Sequence, residues 1–309
     1  MKKLFILVVL LFSIAKVNAQ QEILVSQYLF TPYLINPAIG GVNKYFTGSF
    51  MNRSQWVGFA GAPVSNAVTV EGALPDEKMG VGLKIANDRI GKTNQTDIIG
   101  SYSYHLKLDN KDQLSFGATA GFSNYNNDLS SGNYWDYNDN IINNSKTSVW
   151  IPKFGLGAFY LAKDYYAGLS VPTLLDYDKH NLYNLKRHFY LYGGYNYDID
   201  AQWVLKPSAL IKFAPKAPLQ TDLNCRITYN NLITGGLSYR FSNFKNGSAF
   251  VVMAEYQANK NFRVGYAYDM SFAKVSKGLR IGRHSNGTHE IVASYSLVKG
   301  NKVKPKFAN

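Results

Sequence analysis

Between residues 46 and 298 apolar side chains return at every second position. The segments run to about ten residues, the length of a membrane-crossing strand whose side chains project alternately to its two faces. In Gly80 to Ala86, Val81, Leu83 and Ile85 oppose Gly80, Gly82 and Lys84. Leu114, Phe116, Ala118, Ala120 and Phe122 likewise oppose Ser115, Gly117, Thr119 and Gly121. Ile233, Gly235, Leu237, Tyr239 and Phe241 oppose Thr234, Gly236, Ser238 and Arg240, and Val264, Tyr266 and Tyr268 oppose Arg263, Gly265 and Asp269. A helix would scatter these apolar residues around its whole circumference, so the period excludes helix. The pattern predicts about fourteen strands: 46–56, 66–74, 78–86, 95–108, 112–124, 150–162, 164–171, 187–197, 202–213, 220–229, 232–241, 248–257, 262–270 and 289–298.

The connections sort by parity. Pro75-Asp76-Glu77, Asp109-Asn110-Lys111, Lys163, Asp198 to Ala201, Asn230-Asn231 and Ala258 to Asn261 are short. Tyr125 to Val149, Pro172 to Lys186 and Ser271 to Thr288 are long. Short turns at one end and long loops at the other mark an all-β transmembrane antiparallel barrel of the bacterial outer membrane, its turns periplasmic and its loops external. Closure has a physical cause, because hydrocarbon offers no partner to an unpaired backbone N–H or C=O. An even strand count would leave both termini in the periplasm. Trp56, Tyr102, Trp150 and Trp203 lie near strand ends, where aromatic girdles or ordinary burial would hold them.

Composition refines this reading. Mean hydropathy is −0.19 although 15% of residues are aromatic, 23 of them Tyr and 18 Phe. Alternating strands average to such a value, with one face in lipid and the other in a polar lumen. Lys2 and Lys3, the apolar run Leu4 to Phe12 and the small residues of Val17-Asn18-Ala19 read as a signal peptide over 1–19. Residues 20–45 then form an N-terminal periplasmic or lumen segment, 46–298 the barrel and 299–309 a basic tail. Removing a leader that carries Lys2, Lys3 and Lys16 lowers the formal charge of +13 by three, to about +10. For an exported chain this surplus suits outer-membrane lipid or an acidic partner, not nucleic acid. The single Cys225 excludes an intrachain disulfide.

Several fragments resemble the PorP/SprF family of outer-membrane proteins of the type IX secretion system in Bacteroidetes. They are Ser26-Gln27-Tyr28-Leu29-Phe30 with Ile35-Asn36-Pro37-Ala38, then Arg53-Ser54-Gln55-Trp56-Val57-Gly58 with Gly61-Ala62-Pro63. Gly80-Val81-Gly82 and Asn87-Asp88 follow, then Arg263 to Asp269 and Gly287-Thr288-His289-Glu290. The resemblance implies a non-enzymatic barrel that partners a secreted surface protein, an adhesin with a specialised C-terminal domain, for export or anchoring. It also implies type IX secretion-system components as partners and a link to gliding. Ala60 stands where a polar residue is common, and Thr31-Pro32 where Asn is frequent.

Candidate partner or lumen contacts follow. Gln27, Tyr28, Asn36 and Pro37 belong to a segment that would plug the lumen or lie across its periplasmic mouth. Arg53 and Gln55 would share one face of the first strand with Trp56 on the other, and a lumen arginine needs carboxylates around it. Asn87, Asp88, Arg240, Asp269, His289 and Glu290 complete the set within the motifs and strands. Tyr134, Trp135 and Tyr137, among asparagines in the longest connection, suit an external protein contact. If Lys84, Lys107, Lys153, Lys206, Lys212 and Arg240 face inward they outnumber the inward acids, and the positive interior would favour acidic segments or anions.

No catalytic, cofactor-binding or metal residue is assigned. His105, His180, His188, His284 and His289 lack zinc spacing, and no nucleophile elbow or phosphate loop occurs. Two other readings stay open: a passive porin, and a barrel enzyme that would use His105 or His289.

Overall fold

The computed structural model describes residues 25–108, 112–128, 146–179, 183–215, 217–242, 248–272, 274–276, 279–280 and 285–298. Fourteen antiparallel strands close into a barrel. They are β1 (Thr47–Ser54), β2 (Val64–Ala73), β3 (Met79–Ile90), β4 (Thr93–Lys107), β5 (Gln113–Asp128), β6 (Lys146–Leu161) and β7 (Tyr165–Thr173). The remainder are β8 (His188–Tyr195), β9 (Trp203–Phe213), β10 (Gln220–Tyr229), β11 (Ile233–Ser242), β12 (Ala249–Gln257), β13 (Phe262–Ser271) and β14 (Thr288–Ser296). Each pairs with its neighbour in sequence, and the β1–β14 ladder from Thr47↔Ser296 to Ser54↔His289 closes the ring. Past Asn196, Tyr197–Asp198 adds a short second ladder to β9. Closure leaves the ring no free edge, which satisfies the backbone where water is absent.

The alternation sets the two faces. Phe50, Val68, Leu83, Ile98, Phe116, Leu156, Leu191, Leu223, Leu237 and Ile291 are exposed on the outer face. Arg53, Asp97, Lys153, Asp222, Arg240 and Glu290 are buried on the inner one. Cys225 is exposed, on the outward parity of β10 with Leu223 and Ile227. Trp150, Trp203 and Tyr102 are also exposed outside, as girdle residues would be. Trp56 is different. β1 ends at Ser54, so Trp56 lies in the following loop with φ 47°, its N–H donated to Thr288 Oγ1 at 3.2 Å.

Short turns gather at one end. At Asn230 and Asn231 both φ values are positive (49° and 54°) and Leu232 N donates to Tyr229 O at 2.9 Å, the geometry of a type I′ turn. The opposite end carries the longer loops, with one departure from the expected parity. β3 and β4 continue to a two-residue connection, Gly91-Lys92, where Gly91 takes φ 60°. Their extensions are polar on both faces, so hydrophobic alternation fades although pairing continues. There Asn87 Nδ2 donates to Asn94 Oδ1 (2.8 Å) and Thr96 Oγ1 (2.9 Å). β5 and β6 lengthen in the same way, to Asp128 and from Lys146.

The lumen is filled by the chain's own Val25–Tyr45. Tyr28, Phe30, Ala38, Ile39 and Val42 are at most 2% exposed, within one cluster that includes Met51, Phe159, Tyr166, Tyr192 and Leu210 of the wall. Two 3₁₀ turns, Pro32–Leu34 and Pro37–Ile39, fold the segment; the second is capped by Asn36 Oδ1, which accepts from Ala38 N at 2.9 Å. Ser26 meets strand residues near the long-loop end, whereas Tyr45 leads into β1 at the short-turn end. The described chain therefore begins inside the barrel towards the long-loop mouth, while β14 ends at the short-turn mouth.

Inward glycines make room for this plug. A Cβ added at Gly80 would lie 2.0 Å from Gly40 O, at Gly117 2.4 Å from Ala38 N, and at Gly157 2.0 Å from Asn36 Oδ1. Real Cβ atoms do not approach so closely. Gly80→Val is expected to unseat residues 25–45 while the barrel still forms. Limited proteolysis should then cleave that segment, with heat-modifiable migration retained. Gly235→Ala, where a Cβ meets nothing within 4 Å, should leave the segment as protected as in the parent.

Candidate functional site in the barrel lumen

The chemistry concentrates where the start of the plug meets the wall. Arg53 Nη1 donates to Glu290 Oε2 at 3.0 Å and Nη2 to Asp269 Oδ2 at 3.0 Å. Arg240 Nη1 reaches the same Asp269 oxygen at 2.8 Å, and its Nε donates to both Asp222 oxygens at 3.1 and 3.2 Å. Sheet register creates two of these pairs directly, since Arg53 lies opposite Glu290 and Asp222 opposite Arg240. All five side chains are at most 5% exposed. In such surroundings an ion pair compensates desolvation only when its remaining hydrogen-bonding sites are filled.

The plug fills several of them. Ser26 N and Gln27 N donate to the two Glu290 carboxylate oxygens at 2.8 and 2.7 Å. Ser26 Oγ accepts from Arg53 Nη1 at 2.7 Å and Arg240 Nη2 at 3.0 Å. Wall and plug therefore share one network, in which each fills sites of the other.

Further down, each plug turn has its own anchor. Asn224 Nδ2 donates to Tyr28 Oη at 2.8 Å, and Arg263 Nη2 to Phe30 O at 2.8 Å with the guanidinium 3.9 Å above the Phe30 ring. Asn36 Nδ2 donates to Ala158 O (2.9 Å) and Tyr192 Oη (3.0 Å), and Ser170 Oγ to Ile35 O (2.6 Å). Gly41, at φ 81°, donates its N–H to Glu71 Oε2 at 2.6 Å. Pro37 is buried beside Gly157.

The structure thus brings Gln27, Arg53, Arg240, Asp269 and Glu290 into one cluster, with Tyr28, Asn36 and Pro37 on the same plug. Other candidates lie elsewhere. Gln55 begins the loop after β1, its N–H donated to Pro63 O at 2.9 Å, so it does not share a strand face with Arg53. Asp88 faces the lumen near the long-loop end, accepting from Ser65 Oγ, and Asn87 points outward. His289 is on the outer face, with Nδ1 2.7 Å from Tyr266 Oη. Tyr134, Trp135 and Tyr137 lie outside the described residues, as do residues 1–24, the tail 299–309, His180 and His284.

Ser26, Asp222, Arg226, Glu255 and Arg263 are absent from the candidate contacts, although Ser26 opens the plug motif and the other four have inward parity. The expected positive interior is also corrected. The buried inward cations Arg53, Lys153, Lys206, Arg226 and Arg240 are matched by buried inward Glu71, Asp97, Asp222, Glu255, Asp269 and Glu290. Lys84, Lys212 and Arg263 also face inward and are part-buried, as is Asp88, while Lys107 is exposed at the rim, so the interior is close to neutral overall. Lys153 Nζ, for example, donates to Asp97 Oδ2 at 2.8 Å.

His105 pairs with Ser115, Nδ1 lying 2.8 Å from Oγ, but both are at most 3% exposed, and His289 is on the other face of the wall. No group of three or more metal-ligating side chains occurs among the described residues.

Comparison with known proteins gives a family. Residues 17–295 match the model of the type IX secretion system membrane protein PorP/SprF. Among solved structures, the TodX deltaS2S3 mutant monoaromatic hydrocarbon channel superposes with TM-score 0.53 at 12% identity, over 88% of this chain and 94% of that one. The Ralstonia pickettii toluene transporter TbuX gives TM-score 0.52 at 10% identity, over 84% and 91%. The CymD monoaromatic hydrocarbon channel gives 0.50 at 11%, over 88% and 92%. At such identities the likeness concerns the barrel fold. The curated proteins compared gave no match.

Arg53→Met is expected to leave Glu290 and Asp269 each short of a donor, at a cost of about 3–5 kcal/mol. The midpoint of heat-modifiable migration should fall clearly below that of the parent. Arg53→Lys, which keeps the charge but loses the planar two-pronged donor, should fall between the two.

Proposed function

Because the chain belongs to the PorP/SprF family of type IX secretion system membrane proteins, we propose that it works in the outer membrane as a non-enzymatic partner barrel. Its client in this reading is a secreted surface protein of the adhesin type, held for export or anchoring, with a link to gliding. The short-turn end faces the periplasm and the long-loop end the exterior, in keeping with the usual asymmetry of such barrels. The observation that carries the reading is the filled lumen. A passive porin needs an open aqueous path, whereas here Val25–Tyr45 packs against the wall and completes its ion network.

Contact with a client would then fall on the long-loop end. The loop after β1 is held there by Val57 N to Gly287 O (2.9 Å) and Asn286 N to Val57 O (2.7 Å). These bonds make a firm base for the longer connections. Tyr134, Trp135 and Tyr137 supply aromatic anchors among adaptable asparagines, the mixture that protein contacts favour.

Tagged protein drawn from native outer membranes in mild detergent should bring down one large secreted protein together with other secretion-system components, identified by mass spectrometry. In planar bilayers the purified barrel should pass little steady current. Recovery of the barrel alone together with steady conductance would replace the partner reading by a porin. Deleting 128–145 should reduce client recovery while heat-modifiable migration stays intact; unchanged recovery would remove that loop from the contact.

A further inference from the structure

The near balance of charge in the lumen is not uniform. The cluster around Arg53 and Arg240 matches cations to carboxylates, but the wall from β9 to β13 at its short-turn half does not. Lys206 of β9 and Arg226 of β10 are direct cross-strand partners, both facing inward and each 4% exposed. Like charges directly opposite one another repel, and burial removes the water that would screen them. Arg263 of β13 adds a third cation.

Glu255 is shared by two of the three. Glu255 Oε1 accepts from Arg226 Nη1 at 3.0 Å, and Glu255 Oε2 lies 4.0 Å from Arg263 Nη1. Arg263 is further engaged by Phe30. Lys206 makes no hydrogen bond or ion pair among the described residues. Arg226 Nε is buried and has no acceptor. Lys206 thus has no protein acceptor among the described residues, and Arg226, although bonded to Glu255, keeps one buried donor unfilled, a combination that is costly unless something supplies an acceptor.

We propose that this part of the lumen is an anion site, with Lys206 and Arg226 as the principal ligands and Glu255 setting how much negative charge it accepts. The class of ligand is a small oxyanion of the phosphate or sulfate kind. Such an ion presents several acceptor oxygens at once and can bridge an ammonium to a guanidinium. The burial of both side chains selects a compact ion over an extended acidic chain. The site stands independently of the partner reading, because its residues lie in the opposite half of the barrel from the long loops.

The test uses the full purified protein in detergent, titrated calorimetrically with inorganic phosphate at constant ionic strength. One phosphate per barrel is expected, with affinity falling at least tenfold in Lys206→Met and largely kept in Lys206→Arg. Lys107→Gln, at the exposed rim of β4, should bind like the parent. In phosphate-free buffer Lys206→Met should be no less stable than the parent, since it removes a buried charge that makes no ion pair among the described residues. If Lys206→Met does not fold, Arg226→Lys decides: it keeps the charge, removes the Nε donor, and should weaken phosphate several-fold. Absence of phosphate binding by the parent, or unchanged affinity in whichever variant folds, would overturn the site.

Discussion

Arg53 illustrates the constraint on which the rest of this molecule depends. A barrel wall in lipid turns its polar alternate positions inward, and a filled lumen withholds the water that would otherwise solvate them. Every inward charge must then find its counterpart across a strand, across the lumen, or on whatever occupies the lumen. Arg53 uses all three routes: Glu290 on the adjacent strand, Asp269 two strands away, and the Ser26 hydroxyl of the plug. Because Glu290 also receives two plug N–H groups, withdrawing the plug would strand acceptors that the wall cannot satisfy itself. The plug is held by the same energetics that penalise a bare lumen.

Shape works alongside charge. The plug is irregular backbone at membrane depth, tolerated because protein surrounds it and meets its polar groups. Close approach needs a wall without side chains at the contact points, and Gly80, Gly117 and Gly157 provide that. Their partners are themselves fixed. Gly40 O accepts from Ser103 Oγ, and Asn36 Oδ1 caps its own turn while Asn36 Nδ2 reaches the wall. An asparagine that both ends a local turn and crosses to two strands couples the fold of the plug to its position in the barrel.

Much of this was legible in the sequence. Period-two alternation locates all fourteen strands because one face must be apolar in lipid, and Asn230-Asn231 is legible as one of the short connections. The signal failed where the physics behind it stopped. Beyond the apolar band, near Asn87 and Asn94, both faces of a strand are polar, so alternation no longer marks pairing and the Gly91-Lys92 connection was read as a longer loop. Parity marks Arg53 as an inward cation that needs carboxylates, but it does not single out Asp222 and Glu255, without which the inward lysines and arginines outnumber the acids. Parity assigns a face to each charge, but not the neighbour it meets on the next strand. Cross-strand register, which sets Asp222 opposite Arg240, is tertiary information. It follows from sequence only once turn lengths are known to the residue, because a slip of one position reverses every face.

The filled lumen also limits what kind of function the fold can support. Barrels of similar architecture include hydrocarbon channels, so the wall alone does not separate transport from scaffolding. What differs between an open and a closed barrel is the free energy of emptying it. Here emptying would expose Tyr28, Phe30 and Ile39, break the bonds of Asn36 to the wall and leave Arg53 and Arg240 short of an acceptor in a single step. These costs fall together because the contacts lie on one continuous segment of chain. A plug so coupled braces the wall from within, and a contact surface on long loops is no better ordered than the strands that carry it. Conduction would require the opposite property, a lumen occupant loosely enough held to leave.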